Sequence, residues 1–136
     1  MAERAVQRRR HERVRAHLPV RISTIDPETD PWTGRPFFRS SREWSSNVSR
    51  GGVFVRTSEP ILPGQRVLVE LALPGGSAVE AVGRVAWAKR VLRADRDDAD
   101  SGIGLQFIGA SGEQIEALER YLRGCDPDPD LVRDGA

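Results

Sequence analysis

Two runs of alternating apolar and polar residues flank a glycine-rich turn, and no other feature constrains this chain as strongly. Val67, Val69, Leu71 and Leu73 alternate with Leu68, Glu70 and Ala72. Val79, Ala81, Gly83, Val85 and Trp87 alternate with a more polar set that includes Glu80 and Arg84. A period of two puts each apolar set on one face of a strand. Pro74, Gly75 and Gly76 supply turn chemistry between the runs, which predicts an antiparallel hairpin. Shorter runs of the same kind lie at Leu18 to Ile25, Val53 to Thr57 and Ile103 to Phe107, with Pro19 near a strand start, where a missing amide is tolerated. Short strands with no helices between them argue for an all-β sheet closed into a small barrel. The last periodic segment is helical. Ser111 and Gln114 have capping-box spacing, and Ile115, Leu118 and Leu122 recur at helical intervals until Gly124. A helix over 111–123 should lay this stripe on the barrel.

The chain of 136 residues suits one domain. Its single cysteine, Cys125, excludes an internal disulfide or a cysteine-based metal cluster. No apolar leader is visible, and Glu70 interrupts the most apolar stretch well short of a membrane span, so the expectation is a soluble, cytoplasmic protein without a membrane partner. The net charge of +1 hides an uneven distribution. Arg4, Arg8, Arg9, Arg10, Arg13, Arg15 and Arg21 crowd the beginning against only Glu3 and Glu12. This divides the chain into a basic segment at 1–17, a barrel with its helix at 18–124, and an acidic tail at 125–136. Within the barrel, 26–44 is broken by Pro27, Pro31, Gly34 and Pro36 yet carries Trp32, Phe37, Phe38 and Trp44, so it reads as an inserted ordered loop or an added hairpin. Core packing is the preferred reading of both Trp44 and Trp87.

The inventory of reactive groups argues against an enzyme. His11 and His17 are the only histidines, and neither an HExxH nor a GxSxG pattern occurs. Asp26, Glu28 and Asp30 imitate the start of a calcium loop, but Pro31 stands where its glycine belongs and Phe37 where its closing glutamate belongs. Gly102 and Gly104 open like a dinucleotide fingerprint, but they lie in a strand and Phe107 replaces the third glycine. No cofactor or metal is expected.

Two segments remain. Arg8-Arg9-Arg10-His11-Glu12-Arg13 fits an RRxxxR signature, and Asn47-Val48-Ser49-Arg50-Gly51-Gly52 fits a (D/N)xSxxG signature. Either alone is weak, because arginine runs are commonly solvated patches and NxSxxG is commonly a turn. Together, in this order and each followed by a strand, they resemble the PilZ domain family. The likeness extends from about Arg8 to about Arg123, through Gly51 to Thr57, Gly83 to Trp87 and Gly102 to Phe107, and is strongest toward the paralogous PilZ set of myxobacteria. It implies a six-stranded antiparallel β-barrel with a C-terminal α-helix, and a receptor or adaptor for the second messenger cyclic di-GMP. By the same resemblance Arg8, Arg9 and Arg13 would grip phosphates and guanines, Asn47 and Ser49 would address a guanine edge, and Gly52 would keep side-chain bulk away and permit the turn. Arg8 before the RxxxR core goes in the family with an intercalated ligand pair.

The chemistry of that ligand suits these residues. Cyclic di-GMP presents two phosphodiesters and two guanines, and a guanidinium both bonds phosphate bidentately and stacks on flat rings. Lys89 is the only lysine, so the basic segment is specifically guanidinium-bearing. Few apolar residues precede Leu18, which predicts that ligand orders an otherwise unpacked segment and so signals to a protein effector. A PilZ-fold interaction module acting without nucleotide is the alternative. Nucleic acid is disfavoured, because the strands lack the exposed aromatic series of single-strand platforms.

Overall fold

The computed structural model describes residues 13–89 and 101–125. The strands are β1 (Val14–Arg15), β2 (Pro19–Thr24), β3 (Glu28–Thr29), β4 (Pro36–Phe37), β5 (Ser40–Ser49), β6 (Gly52–Arg56), β7 (Arg66–Ala72), β8 (Ala78–Lys89) and β9 (Gly102–Ala110). A helix, α1 (Gly112–Arg123), follows. All the pairings are antiparallel. In the order β5-β2-β7-β8-β9-β6 the sheet returns to β5, closing the expected six-stranded barrel, while β1 adds a short extra strand along β5.

The alternation read from the sequence is the packing of the barrel. Val67, Val69 and Leu71 of β7 and Val79, Ala81 and Val85 of β8 are all at most 2% exposed. The hairpin between them turns through Gly75 and Gly76, both at positive φ, with the Leu73 amide donating to the Ser77 carbonyl at 2.8 Å. Val20 and Ile22 of β2, Val48 of β5, Val53 and Val55 of β6 and Ile103 and Leu105 of β9 fill the remainder. β-Branched side chains predominate because they pack well on a pleated surface. The Ser111 hydroxyl caps α1 by accepting from the Gln114 amide at 3.2 Å, and Leu118, fully buried, plugs the helix into the core.

Three expectations need correction. The segment 26–44 is a hairpin of β3 and β4 only in part, since β5 begins at Ser40 and continues through Ser49. Ser40, Ser41, Ser45 and Ser46 give β5 no apolar period, so its strand character comes from pairing with β2 on one side and β6 on the other. Trp87 is not core. The register of β8 against β9 shifts between Val85 and Trp87, and that bulge turns the indole to the outer face, where it is 40% exposed. Trp44 also points outward, at 57% exposed.

The insert is fastened at its base by ion pairs. Arg39 forks onto Glu28 at 2.6 and 2.9 Å, and its amide donates to the Thr24 hydroxyl at 2.9 Å. Arg66 binds Asp26 through its guanidinium at 2.8 Å and its amide at 2.9 Å, and these bonds hold the Asp26 carboxyl below the ordinary carboxylate range. The hairpin tip presents Trp32 almost fully to solvent.

Truncating the helix plug tests this packing. Leu118→Ala should cost about 2–5 kcal/mol, the usual range for a buried leucine, and urea unfolding followed by circular dichroism measures it.

Candidate nucleotide-binding site

The chain directly after the arginine signature pairs with the strand that carries the second signature. In β1, Val14 pairs with Val48 and Arg15 with Asn47, and the same register carries Arg13 toward Ser49. Val14 and Ala16 are buried while Arg13, Arg15 and His17 are exposed, so the alternation of the basic segment sends its charges away from the core. The expectation of an unpacked segment before Leu18 therefore fails over residues 13–17, where the few apolar groups are enough to dock it. Arg8 and Arg9 lie outside the described residues.

Ser45 fixes that docking. Its side chain is fully buried, its hydroxyl accepts from the Leu18 amide at 2.8 Å and donates to the Ala16 carbonyl, and its amide donates to the Leu18 carbonyl at 2.9 Å. The register of β5 against β6 shifts just beyond it, between Ser45 and Asn47. Asn47 then pairs with Phe54 on the outer side of the sheet, and Ser49 with Gly52, both motif side chains being largely covered at 9% and 5% exposed. The Ser49 hydroxyl accepts from the Gly51 amide at 3.1 Å, so one motif residue also builds its own turn. Asn47 does not share in that turn bonding.

Gly52 has a role the signature does not reveal. Its φ is not in the left-handed region, so the turn does not require glycine there. A Cβ at this position would instead collide with the Leu105 carbonyl oxygen. The absent side chain lets β6 approach β9, and Gly52 serves the barrel seam before it serves any ligand. Arg50, inside the same turn, reaches Glu119 of α1 at 2.8 Å and ties the motif to the helix.

Cross-strand partners extend the site into a row on the outer face: Arg15, Asn47, Phe54, Gly104 and Trp87. Phe54 and Trp87 stack with ring centroids 5.1 Å apart and planes at 16°. The indole lies over Gly104 and the phenyl ring against Gly102, at each of which a Cβ would strike the aromatic side chain. Sequence reasoning missed Arg15, Phe54 and Trp87 as neighbours of the motif. The signal for the rings was Gly102 and Gly104 alternating with Ile103 and Leu105, because glycine on the outer face of a strand marks close approach by another group.

Among the described residues no group of three or more histidine, cysteine, aspartate or glutamate side chains is placed to hold a metal. No helix among them is long and apolar enough to cross a membrane.

These features define a small closed antiparallel barrel with arginines, an Asn-x-Ser-x-x-Gly turn and an aromatic pair gathered on one outer surface. A family model described as PilZ domain matches residues 7–124, and the chain belongs to that family of receptors and adaptors. The PilZ domain of YcgR from Escherichia coli, solved with c-di-GMP, shares the fold with a TM-score of 0.58 and 18% identity, over 88% of this chain and 92% of that one. The Bacillus subtilis inhibitor of motility, MotI/DgrA, has a TM-score of 0.62 and 20% identity over 86% of this chain. This chain spans 50% of the MotI/DgrA chain. No curated protein sequence gives a significant match.

The clamp that unites the two motifs is open to test. Ser45→Ala strands a buried amide and a carbonyl and should cost about 1–3 kcal/mol, whereas Ser46→Ala should be nearly silent in the same urea titration.

Proposed function

We propose that this protein is a cyclic di-GMP receptor of the adaptor kind, with Arg8, Arg9, Arg13, Asn47, Ser49 and Gly52 as its ligand-binding surface. The observation that supports the reading is the β1–β5 register, which sets Arg15 opposite Asn47 and so leads the chain that follows the arginine segment onto the strand of the Asn-x-Ser-x-x-Gly turn, far away in sequence. Guanidinium groups there suit phosphodiesters, the Asn47 carboxamide suits a guanine edge, and the Phe54–Trp87 pair offers an adjacent apolar surface to a purine. Family membership and the YcgR domain solved with c-di-GMP support the same ligand. No cofactor or catalytic step belongs to this reading, and a protein effector, in a bacterial cytoplasm, is the expected recipient of the signal.

Calorimetric titration tests the ligand directly, with GTP and a short oligonucleotide as competitors. Saturable binding of cyclic di-GMP is expected, with two ligands per chain as an intercalated pair. A charge-assisted hydrogen bond is worth roughly 1.5–3 kcal/mol, so Arg9→Ala and Arg13→Ala should each weaken binding about ten- to hundredfold. Arg56→Ala and Arg123→Ala should leave it unchanged. Equal losses at all four positions would mean that net charge, and no motif, does the binding.

The signalling step we infer is a ligand-driven fixing of the arginines that precede β1. With 13–17 already docked on β5, the ligand needs to secure only Arg8, Arg9 and their neighbours against the barrel. Cyclic di-GMP should then slow trypsin after Arg8, Arg9 and Arg10 far more than after Arg133, as mass spectrometry of timed digests would reveal. Equal rates with and without saturating ligand would move the output elsewhere, the Arg50–Glu119 link to α1 being the next place to look.

A further inference from the structure

Beside the motif surface the barrel carries a stripe that the nucleotide reading does not use. From the insert into β5 the chain runs extended, and its outward residues are Phe38, Ser40, Arg42 and Trp44, the two aromatics being 65% and 57% exposed. Arg21 of β2 stands directly opposite Arg42, and Arg56 of β6 directly opposite Trp44. Among the described residues Arg21, Arg42 and Arg56 form no ion pair. Arg39, between Phe38 and Ser40 but turned from the outer row, is bound to Glu28, and Arg50 and Arg66 are likewise bound to carboxylates.

Unpaired arginines set face to face across a strand pair repel one another and lower stability. An exposed tryptophan beside them adds apolar surface that water does not favour. Both features lose their cost when an anionic surface with an apolar recess covers them, and Trp and Arg are the residues that dominate protein interfaces. We propose that this stripe docks a protein partner that presents a short acidic cluster around an apolar pocket for Trp44. The structure favours a protein over a nucleic acid on two grounds. The stripe lies on the convex outer wall of a small barrel, while single strands track along grooves. It is also bounded by Glu70, opposite Arg21, and Glu80, opposite Glu70, whose carboxylates would repel a polyanion running on past the arginines. Trp44 shares β5 with Asn47 and Arg56 shares β6 with Phe54, so a partner seated here would border the motif surface.

The inference stands apart from the nucleotide reading, and one set of NMR titrations separates the two. The probes are a synthetic peptide of alternating glutamate and leucine and an oligo-dT strand, each added to the ¹⁵N-labelled full chain with cyclic di-GMP present at saturating concentration. The peptide should bind saturably and shift the Trp44 indole resonance together with amides at 20–21, 42–44 and 56. The double variant Arg42→Glu/Arg56→Glu and, separately, Trp44→Ala should each weaken peptide binding by about tenfold or more, with dispersed spectra attesting that they fold. Cyclic di-GMP affinity should stay unchanged in both. No saturable peptide binding, shifts centred on 13–17, or undiminished binding in both variants would overturn the proposal. Tighter binding of oligo-dT than of peptide at the stripe would overturn it too and assign the surface to a polyanion. If the wild-type chain fails to bind cyclic di-GMP, the nucleotide reading falls and the peptide result still decides this one.

Discussion

The buried hydroxyl of Ser45 is a small group with a long reach. It bonds both backbone partners it meets in the segment leading into β2, and so sets how that segment lies on β5. A slip of one residue in such a pairing would turn Arg13 and Arg15 toward the core and Val14 and Ala16 toward water. The buried positions of Val14 and Ala16 oppose that slip, and Ser45 opposes it again by leaving no satisfied alternative for the Leu18 amide. The arginines therefore arrive at the Asn-x-Ser-x-x-Gly turn as a consequence of packing, before any ligand is considered.

Bulges do the rest of the positioning. The shift between Ser45 and Asn47 lets β5 bury Ser45 and still set Asn47 beside Phe54 on the outside. The shift between Val85 and Trp87 carries the indole from the expected inner face to the outer one, where Gly104 leaves room for it. Closing a sheet of this size demands strong local twist, and bulges supply twist while re-aiming side chains. The same geometric need that closes the barrel thus builds its aromatic surface.

Between β2 and β5 the inserted chain leaves the barrel wall and returns to it. Its ends stand close together on the barrel and are held by the Asp26–Arg66 and Glu28–Arg39 pairs, so the hairpin of β3 and β4 extends without disturbing the core. Its last residues then become β5, which joins the added segment to the motif strand with no break.

The sequence by itself determined the barrel. Five alternating runs, the Pro-Gly-Gly turn and the capped amphipathic helix were legible because burial imposes a period of two on strands and a near-fourfold one on helices. It also contained both motifs, since those are local strings. Tertiary structure alone decided what had no local signature. β5 reads as polar chain because its pairing on both edges, and no apolar stripe, makes it a strand. Trp87 reads as core because alternation assumes an unbroken register, which the bulge between Val85 and Trp87 interrupts, and Trp44 reads as packing the 26–44 segment onto the barrel, whereas pairing on both edges of β5 leaves it outward. Gly52 reads as a turn residue, while the constraint on it comes from Leu105, across the sheet and distant in sequence. Periodicity reports which face of an element is buried; which elements face one another, and so which arginine meets which turn, is fixed only when the sheet closes.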